Sequence, residues 1–253
     1  MSSLPISNDN GGEDPVATLV RKLRIRDGLT DNEAAILRGA VERVEDVPLG
    51  RTLVAAGMPL DQSILLISGI VARYKDLSEG QRQITDLHVS GDFVDLHGFL
   101  LKRLEHHVGA LSPLRVAYVP HRALTRISEE QPHLARLLWL TTLLDASVQR
   151  ERMLSIGRRS AIGRIAHAIC ELYVRLDLVG ETEGRRFALP ITQIDLADAT
   201  SLTSVHVNRM LSKLRTGGLM TFRNGVVEIH DLDGLMRIAE FETSYLFLDR
   251  QPR

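Results

Sequence analysis

The amino-acid sequence predicts an α+β protein with an N-terminal β-roll, a long central helix and a C-terminal winged helix-turn-helix. Three observations lead to this prediction. Short apolar runs separated by turn residues fill residues 47–120, which is typical of a sandwich or roll. A broadly apolar helical stretch follows over 132–156. Two capped amphipathic segments and a hairpin signal then occupy 192–230.

The composition allows one large or two modest domains in 253 residues, with 44% hydrophobic residues to build their cores. Only 4% of residues are aromatic, so those cores must be aliphatic. The net charge is −1, but residues 157–225 carry a positive excess and 226–253 a negative one. The single cysteine, Cys170, excludes a disulfide framework and a four-cysteine iron–sulfur or zinc site within one chain. We interpret it as a core residue, with a redox-sensing thiol as the alternative.

The N-terminal region has no signal-peptide pattern, and no apolar run approaches the ~20 residues that a membrane span needs. We therefore expect a cytoplasmic protein without a membrane partner. Residues 1–15 are rich in Ser, Asn, Gly and acidic residues, which predicts disorder. Residues 16–26 and 30–44 are predicted to form amphipathic helices, the second opened by a Thr30–Glu33 capping box.

The roll is expected over 47–120, where turn residues such as Gly57-Met-Pro59 and Glu79-Gly80 separate short strands. The predicted strands are 52–54, 63–67, 70–75, 83–87, 93–94, 108–111 and 115–119. This region contains no Walker-type phosphate loop, no HExxH pair and no serine elbow. An enzyme is therefore not expected.

After a short helix over 121–129, the stretch 132–156 is predicted to be a helix with apolar residues on more than one face. One face can pack on the roll, and we expect another to meet the same helix of a second subunit. Burial within one chain is the alternative. The predicted dimerisation residues are Leu137, Leu140, Leu144 and Val148.

Residues 157–159 are interpreted as a hinge, Ser160 as the start of another helix and 180–186 as a polar loop. The predicted domains are a sensory roll with flanking helices over 16–130, a dimerisation helix over 131–156 and a winged helix over 157–253.

The helix-turn-helix prediction depends on two caps and one buried stripe. Thr192 and Asp195 form a capping-box pattern, Ser201 lies at the turn and Thr203 can cap the second helix. Apolar residues follow at helical spacing and define the buried side of that helix: Val207, Met210, Leu211 and Leu214. A strand–Asn224-Gly225–strand pattern over 219–230 predicts the wing, and Asp231 can cap a closing helix.

The opposite side of the second helix carries the predicted base-reading residues. Arg209 suits guanine O6 and N7, Asn208 suits adenine N6 and N7, and Val205 suits a thymine methyl group. Ser204 belongs to the same face and can also reach phosphate. The predicted phosphate contacts are Thr192, Gln193, Thr203, His206, Lys213 and Arg223.

With these elements in this order, the chain resembles the Crp/Fnr superfamily of bacterial transcription regulators. The resemblance runs from about residue 49 to 238, and four segments carry it: LISGIVARY (66–74), SGDFVDLHGFL (90–100), RRSAIGRIAHAICELYVRL (158–176) and SLTSVHVNRMLSKLRTGGLM (201–220). It implies a cyclic-nucleotide-binding-like roll and a homodimer that binds imperfect palindromes in double-stranded DNA. It also implies RNA polymerase as a partner and a roll that receives a signal.

The sequence departs from this family at the phosphate cassette, where cyclic-nucleotide binders carry a Gly-Glu pair and an arginine. Here Leu96 takes the place of the acid, His106 and His107 lie nearest to the missing arginine, and Asp95 would repel an anion. We therefore predict weak or no binding of cyclic AMP or cyclic GMP. The candidate effector pocket comprises Asp95, Leu96, His97, His106 and His107.

Other signals stay open at this point. The family's oxygen sensors use a cysteine cluster, which Cys170 alone cannot supply, and no histidine pair is singled out by spacing as haem ligands. No cofactor is expected, while a cyclic dinucleotide, a metabolite, a partner protein or no ligand remain possible signals. Ser204 and Val205 stand where many relatives have Arg and Glu, so the operator should differ from theirs. The alternative function is a protein-interaction module with a vestigial winged helix.

Overall fold

The computed structural model describes residues 14–252, so most of the segment predicted to be disordered, 1–15, lies outside the described residues. Two helices come first, α1 (Ala17–Arg26) and α2 (Asp31–Ala40). The predicted capping box of α2 is confirmed: Thr30 Oγ1 accepts a hydrogen bond from Glu33 N at 3.2 Å, and Glu33 Oε2 accepts one from Thr30 N at 2.8 Å. The second helix ends four residues earlier than predicted, and a strand follows it.

The roll consists of two antiparallel sheets facing each other. The strands are β1 (Arg43–Val47), β2 (Thr52–Val54), β3 (Gln62–Ser68), β4 (Val71–Asp76), β5 (Arg82–His88), β6 (His107–Ala110) and β7 (Leu114–Pro120). One sheet has the order β1-β7-β3 and the other β2-β6-β4-β5. Buried aliphatic residues from both sheets, such as Leu66, Val71 and Val116, fill the space between them.

Two strand predictions in this region were wrong. β1 was missed because it is a polar strand at the edge of its sheet, with only Val47 fully buried, so it lacks the alternating apolar pattern. Phe93 and Val94 were predicted as a strand, but Phe93 makes only an isolated bridge to Leu65. A short helix, α3 (Gly98–Leu101), lies between β5 and β6.

The helix α4 (His121–Glu130) precedes the long helix α5 (Pro132–Arg158). The latter runs through Gly157, so only two extended residues, Arg159 and Ser160, separate it from the next helix where the hinge was predicted over 157–159. Two of the four predicted dimerisation residues are buried within the single chain, so they do not lie on a free surface. Leu137 (0% exposed) and Val148 (6% exposed) are covered by their own chain, whereas Leu140 and Leu144 are half-buried. No described helix is both long and apolar enough to span a membrane.

The C-terminal part begins with α6 (Ala161–Val179). Ser160 caps the N-terminus of this helix, because its side chain accepts a hydrogen bond from Gly163 N. Its other elements are β8 (Thr182–Glu183), β9 (Arg186–Ala188), α7 (Gln193–Thr200), α8 (Ser204–Thr216), β10 (Met220–Arg223), β11 (Val226–Ile229), α9 (Leu232–Ala239) and a 3-10 turn (Ser244–Leu246). The predicted wing is confirmed, with Asn224 and Gly225 both at positive φ. The predicted polar loop 180–186 instead contributes two short strands to a sheet of order β10-β11-β9-β8.

The roll and the C-terminal part share one hydrophobic core. Ile84 and Leu87 of the roll belong to the same buried cluster as Leu172 of α6 and Leu196 of α7. Cys170 lies in this cluster with no exposed surface, and burial raises the pKa of its thiol to about 12. The interpretation of Cys170 as a core residue is thereby confirmed.

Candidate nucleic-acid interface and effector pocket

The helix-turn-helix consists of α7 and α8, and its local structure follows from the predicted caps. Thr192 Oγ1 accepts a hydrogen bond from Asp195 N at 3.0 Å, and Asp195 Oδ2 accepts one from Thr192 N at 2.9 Å. Ser201 ends α7 in the left-handed conformation at φ 53°. Thr203 then caps α8 by accepting from His206 N at 3.3 Å. The N-terminus of each helix is thus capped by the side chain of the threonine that directly precedes it.

The face of α8 predicted to read bases is open to solvent. Ser204, Val205, Asn208 and Arg209 are all exposed, and the apolar Val205 is 77% exposed. On the other side of the helix, Val207 and Leu214 have no exposed surface. An isolated large apolar side chain on a polar helical face is suited to contact a thymine methyl group.

One hydrogen bond links this face to the first helix. Asn208 Nδ2 donates to Gln193 Oε1 at 3.3 Å, which orients the Asn208 amide at the start of the exposed face. The residues predicted to contact phosphate are exposed on α7, α8 and the wing: Thr192, Gln193, Thr203, His206, Lys213 and Arg223. The His206 ring lies 3.0 Å from Thr203 Oγ1, so these two side chains interact with each other in the free protein.

A contact between the roll and α7 was not predicted. Arg82, the first residue of β5, donates to Asp195 Oδ1 at 2.6 Å and to Asp198 Oδ2 at 2.8 Å. Next to it, Gln83 donates to the Asp198 carbonyl at 2.6 Å and accepts from the Ser201 hydroxyl at 2.8 Å. The roll therefore holds the same turn that presents α8. No local sequence pattern marks Arg82, because its partners lie more than a hundred residues further along the chain.

The five residues of the candidate effector pocket line the interior and rim of the roll. Asp95 is fully buried: its Oδ1 accepts from Ile64 N at 2.6 Å, its Oδ2 has no hydrogen-bond partner among residues 14–252, and burial raises the pKa of its carboxyl to about 7. Leu96 packs in the apolar cluster between the roll and α1. His97 and His106 lie with ring centroids 5.4 Å apart, and burial lowers the pKa of both, that of His97 to about 3. His107 lies apart from them and stacks on Tyr74 at 5.2 Å.

Arg73 was missed as a component of the roll interior. It is 4% exposed and lies in the middle of β4; its Nε donates to the Val94 carbonyl at 2.7 Å, and its Nη2 to Asp145 Oδ2 of α5 at 2.9 Å. The only available signal was a charged residue inside the apolar run IVARY. The guanidinium is thus already engaged by the chain's own backbone and by a carboxylate of the long helix.

Comparison with known proteins identifies the family. The family model of the cyclic nucleotide-binding domain matches residues 44–131, and that of the Crp-like helix-turn-helix domain matches 163–238. The fumarate and nitrate reduction regulatory protein of Escherichia coli is 26% identical over 214 residues, which cover 83% of this chain and 84% of that protein. The chain belongs to the Crp/Fnr superfamily.

Solved structures of this superfamily have the same architecture. FixK2 from Bradyrhizobium japonicum is 25% identical with a TM-score of 0.71, and the match covers 78% of this chain and 96% of that one. CLP of Xanthomonas campestris, a c-di-GMP-responsive global regulator, shares the fold with 15% identity and a TM-score of 0.62 over 78% of this chain and 99% of that one. The present protein is accordingly a DNA-binding transcription regulator of the Crp/Fnr type, as the resemblance predicts.

Proposed function

We propose that this Crp/Fnr protein acts as a homodimer that binds an inverted repeat in double-stranded DNA with the exposed face of α8, and that it contacts RNA polymerase when bound. The observation that supports it best is the combination of Val205, Asn208 and Arg209 on one solvent-exposed side of a capped helix. The N-terminal residues of a recognition helix meet base edges in the major groove, and two such helices related by a dyad contact half-sites about one helical turn apart.

The proposed dimer contact is a stripe on α5 that differs from the one expected from sequence. Trp139, Leu143, Met153 and Leu154 are exposed by 65%, 51%, 75% and 49%, respectively. These positions recur at helical spacing along one side of α5. Their exposure on a single chain is what a self-complementary helix pair requires, and two parallel copies of α5 would bury the stripe.

The proposed signal is something other than cyclic AMP or cyclic GMP, and we assign no cofactor and no catalytic role. Supporting this, Leu96 is buried in an apolar cluster, and Asp95 is a buried carboxyl without a cationic side-chain partner among its hydrogen bonds. The nearby Arg73 is held by the Val94 carbonyl and Asp145. A cyclic phosphate would find no uncommitted guanidinium among these residues.

The test is a selection of DNA sequences from a random pool with the purified full chain, followed by binding titrations at fixed salt. We expect enrichment of an inverted repeat, and much weaker binding to a duplex that carries a single half-site. Enrichment of no sequence, with uniform salt-sensitive binding, would contradict the proposal and favour a vestigial winged helix. Sedimentation of the protein with and without the selected duplex measures the stoichiometry directly.

A further inference from the structure

Asn208, one of the predicted base-reading residues, is joined to the first helix of the helix-turn-helix by a side-chain hydrogen bond. Asn208 Nδ2 donates to Gln193 Oε1 at 3.3 Å, and within residues 14–252 neither side-chain amide makes another hydrogen bond. Both side chains are exposed, as are Val205 and Arg209 on the same face of α8. Gln193 therefore lies where it can set the orientation in which the Asn208 amide meets a base edge.

The backbone that carries Gln193 is held on two sides. Gln193 directly follows Thr192, whose capping box with Asp195 fixes the first turn of α7. Arg82 of the roll binds the same Asp195 carboxylate at 2.6 Å. Only the side-chain torsions of Gln193 and Asn208 have to be ordered for the two amides to meet, so the contact costs little conformational entropy.

The hydrogen bond changes what the Asn208 amide can offer to DNA. A primary amide carries two N–H donors and one carbonyl oxygen. With one N–H donated to Gln193, Asn208 keeps one N–H and its Oδ1, a pair that matches the N7 acceptor and the N6 donor of adenine. Guanine presents two acceptors, O6 and N7, so one of them would face Oδ1 instead of a donor. Adenine is therefore favoured over guanine at this position.

We propose that Gln193 is a positioning residue that makes Asn208 specific for adenine, an inference that rests on the proposed DNA-binding face of α8. The sequence also predicts that Gln193 contacts phosphate. Because a phosphate oxygen accepts hydrogen bonds, such a contact uses Gln193 Nε2 and leaves Oε1 to Asn208. One glutamine side chain thus links the position of the DNA backbone to the reading of a base.

The experiment measures base preferences of the full chain and its variants by titration at fixed salt, on the inverted repeat selected with the parent protein. Asn208→Ala identifies the base pair that Asn208 reads, because the preference is lost there. Gln193→Ala should reduce the preference for adenine over guanine at this base pair about three- to tenfold, the effect of one hydrogen bond. In the Asn208→Ala background it should have no further effect there. The preference assigned to Arg209 is the internal control, and Gln81→Ala, at an exposed glutamine of the roll, is the matched control.

Two further variants test the direction of the hydrogen bond. Gln193→Glu keeps an acceptor for Asn208 Nδ2, so the adenine preference should persist, while its charge weakens binding to every duplex by repelling phosphate. Gln193→Lys offers donors alone, which would engage Asn208 Oδ1 and turn its N–H groups towards DNA. The preference should then shift towards guanine. A merely structural role of Gln193 would not separate the base preferences of these two variants.

The proposal is overturned if Gln193→Ala keeps the full adenine preference, or if Gln193→Glu and Gln193→Lys shift the preference in the same direction. It is also overturned if the base pair that responds to Asn208→Ala shows no preference for adenine in the parent protein. Each of these results leaves the DNA-binding function standing, whereas a parent protein that selects no inverted repeat would contradict the proposed function itself. Both residues are exposed, so thermal melting should show every variant folded as the parent is.

Discussion

Individual side chains on α8 could be assigned from the sequence because helix periodicity separates its two faces. Val207, Met210 and Leu214 are buried as predicted, whereas Leu211 of the same predicted stripe is only half-buried. The predicted base-reading residues on the opposite face are exposed. Arg73 and Arg82 could not be assigned, since their roles depend on partners far away in the chain: Asp145 for the first, and Asp195 with Asp198 for the second. Helical periodicity predicts which face of a helix is buried, but the contacts of a side chain with distant residues depend on the tertiary structure.

Replacing Arg209 tests base reading at the residue scale. An arginine that is bidentate to guanine contributes discrimination against the other bases, so Arg209→Ala should cost ~1–3 kcal/mol and relax the preference at one base in each half-site. Arg126→Ala, which removes an exposed arginine from α4, is the control and should leave affinity unchanged. Titrations on selected and substituted duplexes measure both effects. An equal loss on every sequence would assign Arg209 to phosphate instead.

Cyclic AMP at millimolar concentration is expected to leave both the melting temperature and DNA affinity unchanged. Leu96 and the missing cassette arginine remove two charged contacts, each worth ~1.5–3 kcal/mol, so affinity should fall by orders of magnitude. Calorimetry is the direct measurement. A micromolar dissociation constant for cyclic AMP or cyclic GMP would mean that Arg73 leaves Asp145 to pair with the cyclic phosphate.

His133 should make stability depend on pH. Its Nδ1 lies 2.5 Å from Glu33 Oε1 and its Nε2 3.3 Å from Asp27 Oδ2, and the hydrogen bond to Glu33 is the main cause that raises the pKa of this imidazole above 6.5. A raised folded-state pKa means that the contribution to stability is complete below pH 6.5 and is lost as the pH rises through the folded value. Urea unfolding of the parent and of His133→Gln should therefore differ more at pH about 5.5 than at about 8.5. An equal difference at both pH values would contradict this assignment.

At the scale of elements, helices and turns with capping or Gly signals were predicted well, and short or polar strands were not. The capping boxes of α2 and α7 and the Asn224–Gly225 turn appear where the sequence places them. β1, β8 and β9 were missed, because each exposes most of its side chains and gains its order from a neighbouring strand. Local chemistry fixes caps and tight turns, whereas β1 is ordered by pairing with β7, which is distant in the chain, and β9 by pairing with β11 of the wing.

The α5 stripe predicts where a charge disrupts assembly. Leu143→Glu places a carboxylate on the exposed stripe. Because dimerisation would bury this unpaired charge, the variant should be a folded monomer. Leu137→Glu should instead destabilise the protomer itself, because Leu137 is 0% exposed within the single chain. Leu77→Glu, at a position 57% exposed in the turn after β4, is the control. Sedimentation velocity and thermal melting separate the two outcomes, and a monomeric parent protein at micromolar concentration would refute the proposed contact.

For the whole molecule, the decisive feature is that the roll and the DNA-binding part are not independent units. A single buried cluster runs from Ile84 of β5 to Leu196 of α7, and the Arg82 contacts lie at its edge. The sequence predicted both parts but not their relative placement, because side chains such as Arg82 look like ordinary surface charges until their partners are known. The Arg82 and Gln83 contacts are therefore a direct physical link between the roll and the helix-turn-helix.

A double-mutant cycle on Arg82 and Asp198 measures that coupling. Arg82→Ala and Asp198→Ala, alone and together, should give an interaction energy of about 1 kcal/mol, since both groups are partly buried and the guanidinium serves two carboxylates. The matched control is the ion pair between Arg122 and Glu42, which does not involve the helix-turn-helix. This pair is more exposed, so its interaction energy should be near zero. Chemical unfolding of each variant supplies the energies. Additive effects for Arg82 and Asp198 would show that the shared hydrophobic core alone holds α7 against the roll, and DNA affinity should then be unchanged in Arg82→Ala.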